Sequence, residues 1–270
     1  MFEAACLAVR ESLYGILCQT DVGGKPVSFG SGTGFLIAPN LCLTAAHVLH
    51  QDGQKTAPIH NRIQVIRAPE VGKAMHMAQL LGLDDALDLA LLRLEQPSLQ
   101  YRPTRLPIQQ DPAKIDPTIG SSQGENPAPQ QVPFLPLHTE VPLPGTPCGS
   151  LGYPLSTVGM KEQHVAFTLI ERFQGSYISS RRLELLSDGR TASIVETDAL
   201  MYGGSSGCPG FTTDGRVWGL HFATITEQAR ANQVQNTPHH NTTARLAISL
   251  WVSSTEIRSF VARCGVEIPT

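Results

Sequence analysis

An all-β fold, built as barrels or sandwiches, is what this 270-residue sequence predicts, and three observations carry the prediction. Apolar runs of about five to seven residues recur along the chain, each too short for a typical helix. They are LYGILCQ (13–19), TGFLIAP (33–39), LCLTAA (41–46), RIQVIRA (62–68), DLALLRL (88–94), GSLGYPL (149–155), HVAFTLI (164–170), SIVETDA (193–199) and RVWGLHF (216–222). The 24 glycines and 20 prolines supply the turns between them. Long helical patterns do not alternate with these runs, which argues against βαβ units.

Taken in order, residues 1–12 form a short amphipathic helix, and a first set of strands runs from Leu13 to about residue 102. The text changes from Pro103 to Pro147, where DPTIGSSQGENPAPQQVP (116–133) is crowded with Pro, Gln, Ser and Gly. Such composition predicts an interdomain linker over 103–147 with a mobile middle. A second set of strands occupies 148–270, interrupted by the polar stretch EQARANQVQNTPHHNTT (227–243), which reads as a long surface loop. The end is helical. In SSTEIRSFVARCG (253–265), Ser253 and Glu256 have capping-box spacing, Ile257, Phe260 and Val261 form one apolar face, and Gly265 is the C-cap.

Bulk properties narrow the function classes. The net charge is −3, so no polybasic surface is offered to nucleic acid or to an anionic membrane. The amino terminus, MFEAACLAVRESLYG, is interrupted by Glu3, Arg10 and Glu11, unlike a secretory signal. No stretch is apolar enough to span a bilayer. The protein is therefore expected to be cytoplasmic, with its six dispersed cysteines as free thiols. No cofactor or metal is expected. His239 and His240 lack carboxylate or cysteine neighbours, and no C-x-x-C pair occurs.

Acyl transfer by a serine needs a nucleophile, a base, a group that orients the base, and donors for the oxyanion. Three segments supply these in the order His, Asp, Ser. In GSGTGFLIAPNLCLTAAHVLH (30–50), small residues precede His47 and let its backbone pack closely at a barrel edge. In DDALDLALLRL (84–94), Asp88 stands directly before an apolar strand, where a buried carboxylate can fix an imidazole tautomer. Asp84 and Asp85 compete for that role but lie further out and are expected to be solvated. In VETDALMYGGSSGCPGF (195–211), glycines around Ser206 allow a tight turn whose backbone N–H groups converge. Ser206 is the candidate nucleophile, with the N–H groups of Gly204 and Ser206 as the oxyanion hole. Ser205 is its rival only if the register shifts by one.

TAAHV around His47, DLALL around Asp88 and TDALMYGGSSGCP around Ser206 resemble the trypsin-like serine peptidase superfamily, in particular its HtrA-type and glutamyl endopeptidase branches. The likeness extends from about residue 13 to 225 and includes the strand end GSLGYP (149–154). It implies two six-stranded antiparallel β-barrels of chymotrypsin-like type with the site between them. It also implies endopeptidase activity on protein or peptide substrates through an acyl-enzyme. By the same resemblance, Phe222, Ala223 and Thr224 pair with an extended substrate, while Leu200, Met201, Tyr202 and His221 shape the pocket for the residue before the scissile bond (P1). Histidine at position 221 implies a preference for Glu or Gln there, whereas Leu200 and Met201 favour an apolar pocket. No acidic residue occupies the pocket base, which disfavours Lys or Arg.

Two departures from the family stand out. Cys208 replaces a usual glycine, and Ser205 replaces the aspartate that pairs with a freed amino terminus in zymogen-activated members. Activation by such cleavage is thus disfavoured, leaving loop ordering or a regulatory protein partner. Asp198 is read as organising the pocket loop. A catalytically silent binding module of the same fold is the alternative. An α/β-hydrolase is excluded by the residue order and by Cys208, which breaks G-x-S-x-G.

Overall fold

The computed structural model describes residues 1–67, 76–95, 100–101, 130–154, 157–161, 164–228 and 245–269. Its twelve principal strands close into two antiparallel barrels of six. The first barrel contains β1 (Leu13–Val22), β2 (Lys25–Ala38), β3 (Leu41–Ala45), β4 (Arg62–Ile66), β5 (His76–Asp84) and β6 (Leu89–Leu94), in the order β1-β2-β3-β6-β5-β4. Pairing of Gly15–Gln19 with Arg62–Ile66 closes it. Short pieces β7 (Gln100–Tyr101) and β8 (Gln130–Gln131) pair with each other beyond it.

The second barrel is built from β9 (Pro147–Gly152), β12 (Arg172–Leu185), β13 (Thr191–Thr197), β14 (Pro209–Phe211), β15 (Val217–Gln228) and β16 (Arg245–Ser253). Their order is β12-β13-β16-β15-β14-β9, closed by the pairing of Arg172–Tyr177 with Pro147–Gly152. The hairpin β10 (Thr157–Lys161) and β11 (His164–Thr168) forms a separate two-stranded sheet, so HVAFTLI is a strand outside the barrel.

The predicted apolar runs all contain strands, but β5, β12, β14 and β16 were not evident from the sequence. For β12 the reason is exposure. Strand β12 exposes much of its length and carries Arg, Gln, Ser and Glu, so its text resembles a loop. All four owe their extended state to ladder partners.

Each terminal helix reaches the barrel remote from it in sequence. Helix α1 (Glu3–Glu11) leads into β1, yet the Phe2 ring beside it stacks near Phe173 and Phe211 of the second barrel, at 5.5 and 6.1 Å. Helix α2 (Ser254–Arg263) follows β16, and its end reaches Asp84 and Gly82 of the first barrel through Arg263 and Cys264. Ser253 caps α2 by accepting the Glu256 N–H, and Gly265 adopts φ +72°, both as the sequence predicts.

Of the stretch 103–147, the described part beyond 131 packs closely. Val132, Leu135, Leu137 and Val141 are buried, and the Leu135 N–H donates to the Leu36 carbonyl. The proposed mobile middle lies outside the described residues, as does nearly all of the 227–243 loop with His239 and His240. Strand β15 continues to Gln228, so the loop starts later than the composition suggests. All six cysteines are unpaired. Among the described residues, no helix is long and apolar enough to cross a membrane, and no His/Cys/Asp/Glu group could hold a metal.

Candidate active site

The antiparallel ladder of β3 and β6 ends with Ala45 opposite Leu89. One step further, the Ala46 N–H donates to the Asp88 carbonyl at 3.1 Å, which sets His47 against Asp88. Asp88 takes a left-handed conformation, φ +60°, a region that short polar Asp and Asn tolerate better than other residues. Its carboxylate holds His47 twice. Oδ1 accepts the His47 backbone N–H at 2.8 Å and Oδ2 accepts Nδ1–H at 2.7 Å.

A carboxylate only accepts, so the ring proton sits on Nδ1 and leaves Nε2 as an acceptor. Nε2 stands 2.8 Å from the Ser206 hydroxyl. The structure thus brings together His47, Asp88 and Ser206 from two barrels. Burial alone would push the Asp88 carboxyl up, but hydrogen bonds and charge from His47, with Lys55 at 3.8 Å, outweigh it and hold the group below the usual carboxylate range. Asp88 is ionised at neutral pH.

Ser206 lies on the turn between β13 and β14. The Ser205 N–H donates to Tyr202, the Gly207 N–H to His221 and the Cys208 N–H to Ser205. The N–H groups of Gly204 and Ser206 have no acceptor among the described residues. Gly204 and Gly207 adopt φ +90° and +85°, conformations that require glycine. A Cβ on Gly207 would also run into the Thr33 carbonyl oxygen. Cys208 is fully buried and accommodated by Gly152, where an added Cβ would come within 2.9 Å of the Cys208 Cβ. Burial raises the pKa of its thiol, which is unreactive there.

Around this centre, Leu200 is half-buried, Met201 packs with Trp218 and Trp251, and Tyr202 is exposed. A cleft of about 210 Å³ is lined by Met201, Tyr202, Ser205, Gly152 and Arg172. A groove of about 900 Å³ lined by His138, Thr212 and Asp214 shares no residue with it. Strand β14 pairs with β15 only as far as Leu220, so beyond His221 the edge of β15 facing away from β16 carries no strand among the described residues. Phe222, Ala223 and Thr224 stand on this edge.

His221 is buried against Trp251, with ring centroids 5.1 Å apart. Burial, then the nearby His47, lowers its pKa to about 4, so it is neutral at pH 7. Its Nε2 is 3.2 Å from the Thr224 hydroxyl, itself 3.3 Å from the Ser249 hydroxyl, which donates to the Ala199 carbonyl at 2.7 Å. Each hydroxyl has one proton, so the chain runs from Nε2–H to Thr224 to Ser249 to Ala199. Asp198 accepts from the Tyr177 N–H at 3.2 Å, an exposed contact that joins its segment to β12.

One expectation needs correction. Asp84 is not solvated: only 8% of its side chain is exposed, and it pairs with Arg190 and Arg263 at 2.7 Å each. Burial would raise its pKa, but these partners and the Leu87 N–H keep it low. Asp85 is solvated as expected, with 45% of its side chain exposed, and it also stands 2.9 Å from His50. The tip of the β12–β13 hairpin and the end of α2 close over this turn, an arrangement that local text does not reveal. Thr33 and Lys55 were missed altogether. A hydroxyl among glycines in an apolar strand, as in GSGTGF, was the available signal for Thr33.

A family model of the trypsin-like peptidase domain matches residues 32–220, well over half of the chain. The chain belongs to the trypsin-like peptidase family. Among solved structures it is similar to the active form of the Rv3671c protease from M. tuberculosis, with a TM-score of 0.56 and 18% identity over 98% of this chain and 86% of that one. It is also similar to an inactive serine-to-alanine mutant of Rv3671c, with a TM-score of 0.55 and 17% identity over 98% and 92%. At such identity the likeness bears on the fold alone. Comparison with curated proteins finds no match.

Proposed function

We propose that the protein is a serine endopeptidase in which His47, Asp88 and Ser206 form the catalytic triad. The observation that carries this reading is the His47 ring, hydrogen-bonded on one side to Asp88 and on the other to Ser206. Ser206 attacks the scissile carbonyl while His47 takes its proton. The N–H groups of Gly204 and Ser206 receive the oxyanion, and His47 then protonates the leaving amine. Asp88 stays ionised and supports the imidazolium. Water attacks the acyl-enzyme by the same route in reverse.

An extended protein or peptide substrate adds to the open edge at Phe222–Thr224, with P1 directed toward Leu200, Met201, Tyr202 and His221. Because His221 is neutral, it offers its Nε2–H as a donor to a side-chain oxygen in place of Thr224, not a charge for an ion pair. Gln at P1 is therefore favoured over Glu at pH 7. With Ser205 unable to pair with a freed amino terminus, control falls to loop ordering or a protein partner.

Peptide hydrolysis and fluorophosphonate labelling test the reading together. Ser206→Ala and His47→Ala are each expected to cut hydrolysis by roughly 10⁴-fold or more, and Ser206→Ala to abolish labelling. Activity retained in purified Ser206→Ala rejects the triad. Absent hydrolysis and labelling in the wild type favour a silent binding module. A P1 library restricted to small aliphatic residues overturns the His221 assignment.

A further inference from the structure

Thr33 belongs to β2 of the first barrel, yet its polar atoms are spent on the serine loop of the second. The side chain is fully buried. Its backbone N–H donates to the Ser206 carbonyl at 2.8 Å, and its hydroxyl donates to the Gly204 carbonyl at 2.9 Å. The same hydroxyl accepts the Tyr153 N–H at 3.0 Å. Since an amide N–H can only donate, that bond leaves the hydroxyl proton free for Gly204, which fixes the direction of the pair. The Thr33 carbonyl in turn accepts from the Thr44 hydroxyl at 2.8 Å, tying the residue to β3 just ahead of His47.

The two carbonyls held by Thr33 belong to the two residues whose N–H groups have no internal acceptor. Rotation about the Gly204 backbone is otherwise cheap, because glycine at φ +90° has no side chain to resist it. Among the described residues, no other hydrogen bond holds the Gly204 carbonyl.

We propose that Thr33 is a positioning residue, whose hydroxyl locks the Gly204 carbonyl so that the N–H groups of Gly204 and Ser206 converge on one oxygen. This rests on the proposed triad and oxyanion hole. Thr33 touches neither substrate nor the reacting atoms; it acts through the loop. Its loss should lower kcat and spare KM, because the oxyanion forms only in the transition state.

The test compares Thr33→Val, which keeps the shape and removes the hydroxyl, with Thr33→Ser, which keeps the hydroxyl. Kinetics on a peptide substrate are normalised to intact active sites by burst titration. Inhibition by a peptide boronate, whose tetrahedral adduct puts an oxygen in the hole, is measured alongside. For Thr33→Val, kcat is expected to fall about tenfold or more with KM within about threefold, and boronate affinity to weaken in parallel. Thr33→Ser is expected to stay within about threefold of wild type in kcat. Should Thr33→Val fold poorly, Thr33→Ala needs less room and carries the same expectation. The proposal is overturned if the hydroxyl-free variants keep kcat near wild type, or if Thr33→Ser loses as much as they do. A wild-type protein whose hydrolysis survives Ser206→Ala would instead overturn the proposed function, so the two failures are distinguishable.

Discussion

The first barrel holds its share of the site by its own ladder, whereas the second holds its share by leaning on the first. His47 and Asp88 stand one step beyond the paired ends of β3 and β6, and the backbone bond from Ala46 to Asp88 extends that pairing. Ser206 rides on a turn with two left-handed glycines, and its carbonyl and that of Gly204 are gripped by Thr33 from across the interface. Substitutions at His47 and Asp88 should therefore act on the chemistry through charge. Those at the serine turn, and at Thr33 that grips it, should act through backbone geometry.

The largest expected effect tests the first half of this contrast. Asp88→Asn fits the left-handed backbone and removes only the charge, so folding should be nearly unchanged. Its kcat should fall by about 10⁴-fold, the scale seen when a triad carboxylate is neutralised. A drop below about tenfold would mean that Asp88 is not the orienting group.

Gly207→Ala probes the second half. The new Cβ meets the Thr33 carbonyl and lies 2.6 Å from the Thr44 hydroxyl, on a backbone at φ +85°. A loss of at least about 3 kcal/mol in urea unfolding is expected, with activity lost as well. Gly53 is the control: it too has positive φ, +66°, but nothing lies within 4 Å of an added Cβ. Gly53→Ala should cost only about 1 kcal/mol. Equal costs at the two sites would show that conformation, not contact between the barrels, sets the requirement.

This division also marks what could be read from the text. The residues of the candidate triad were legible because each has a local signal: the small residues TAA before His47, the apolar run LALL after Asp88, and the turn-forming glycines around Ser206. The C-terminal helix was legible for a similar reason, since its cap and apolar face are local. What joins the barrels was not. Thr33 reads as one more hydroxyl in a glycine-rich strand, and Asp84 as a solvated acid, because their partners are 171 and 106 residues away. Strand β12 was missed because its surface is half wet. A histidine such as His221 could be noticed in sequence, but its hydrogen-bonded chain to Ala199 requires three separate segments to meet.

The buried imidazoles give the next prediction. Burial depresses the pKa of His221 from 6.5 to about 4 and lowers those of His60 and His138. Between those limits the unfolded chain binds a proton that the folded chain excludes, so stability rises with pH in this window and falls on acidification. The share of His221 over the full window is about 3 kcal/mol. Urea unfolding of wild type and His221→Gln from pH 7 to pH 4 measures it as a difference in slope. Parallel curves would show that the ring is not held neutral by the fold.

The smallest effect is expected at Asp84, and it bears most directly on how the barrels are coupled. Asp84 belongs to the first barrel, Arg190 to a hairpin of the second, and Arg263 to the helix that follows it. The carboxylate is well covered, but the guanidinium groups are 40% and 48% exposed, so water screens much of the attraction. Asp84→Ala should cost about 1–2 kcal/mol, less than a fully buried pair would. Arg190→Ala alone should cost less than Asp84→Ala, because Arg263 still pairs with the carboxylate. If the clasp couples the barrels, the Asp84→Ala protein should lose cooperativity, with tryptophan fluorescence (Trp218 and Trp251, both in the second barrel) and far-UV circular dichroism no longer tracing one transition. Coincident curves at lower denaturant would assign the clasp to stability alone and leave the coupling to Thr33, Phe2 and the shared apolar core.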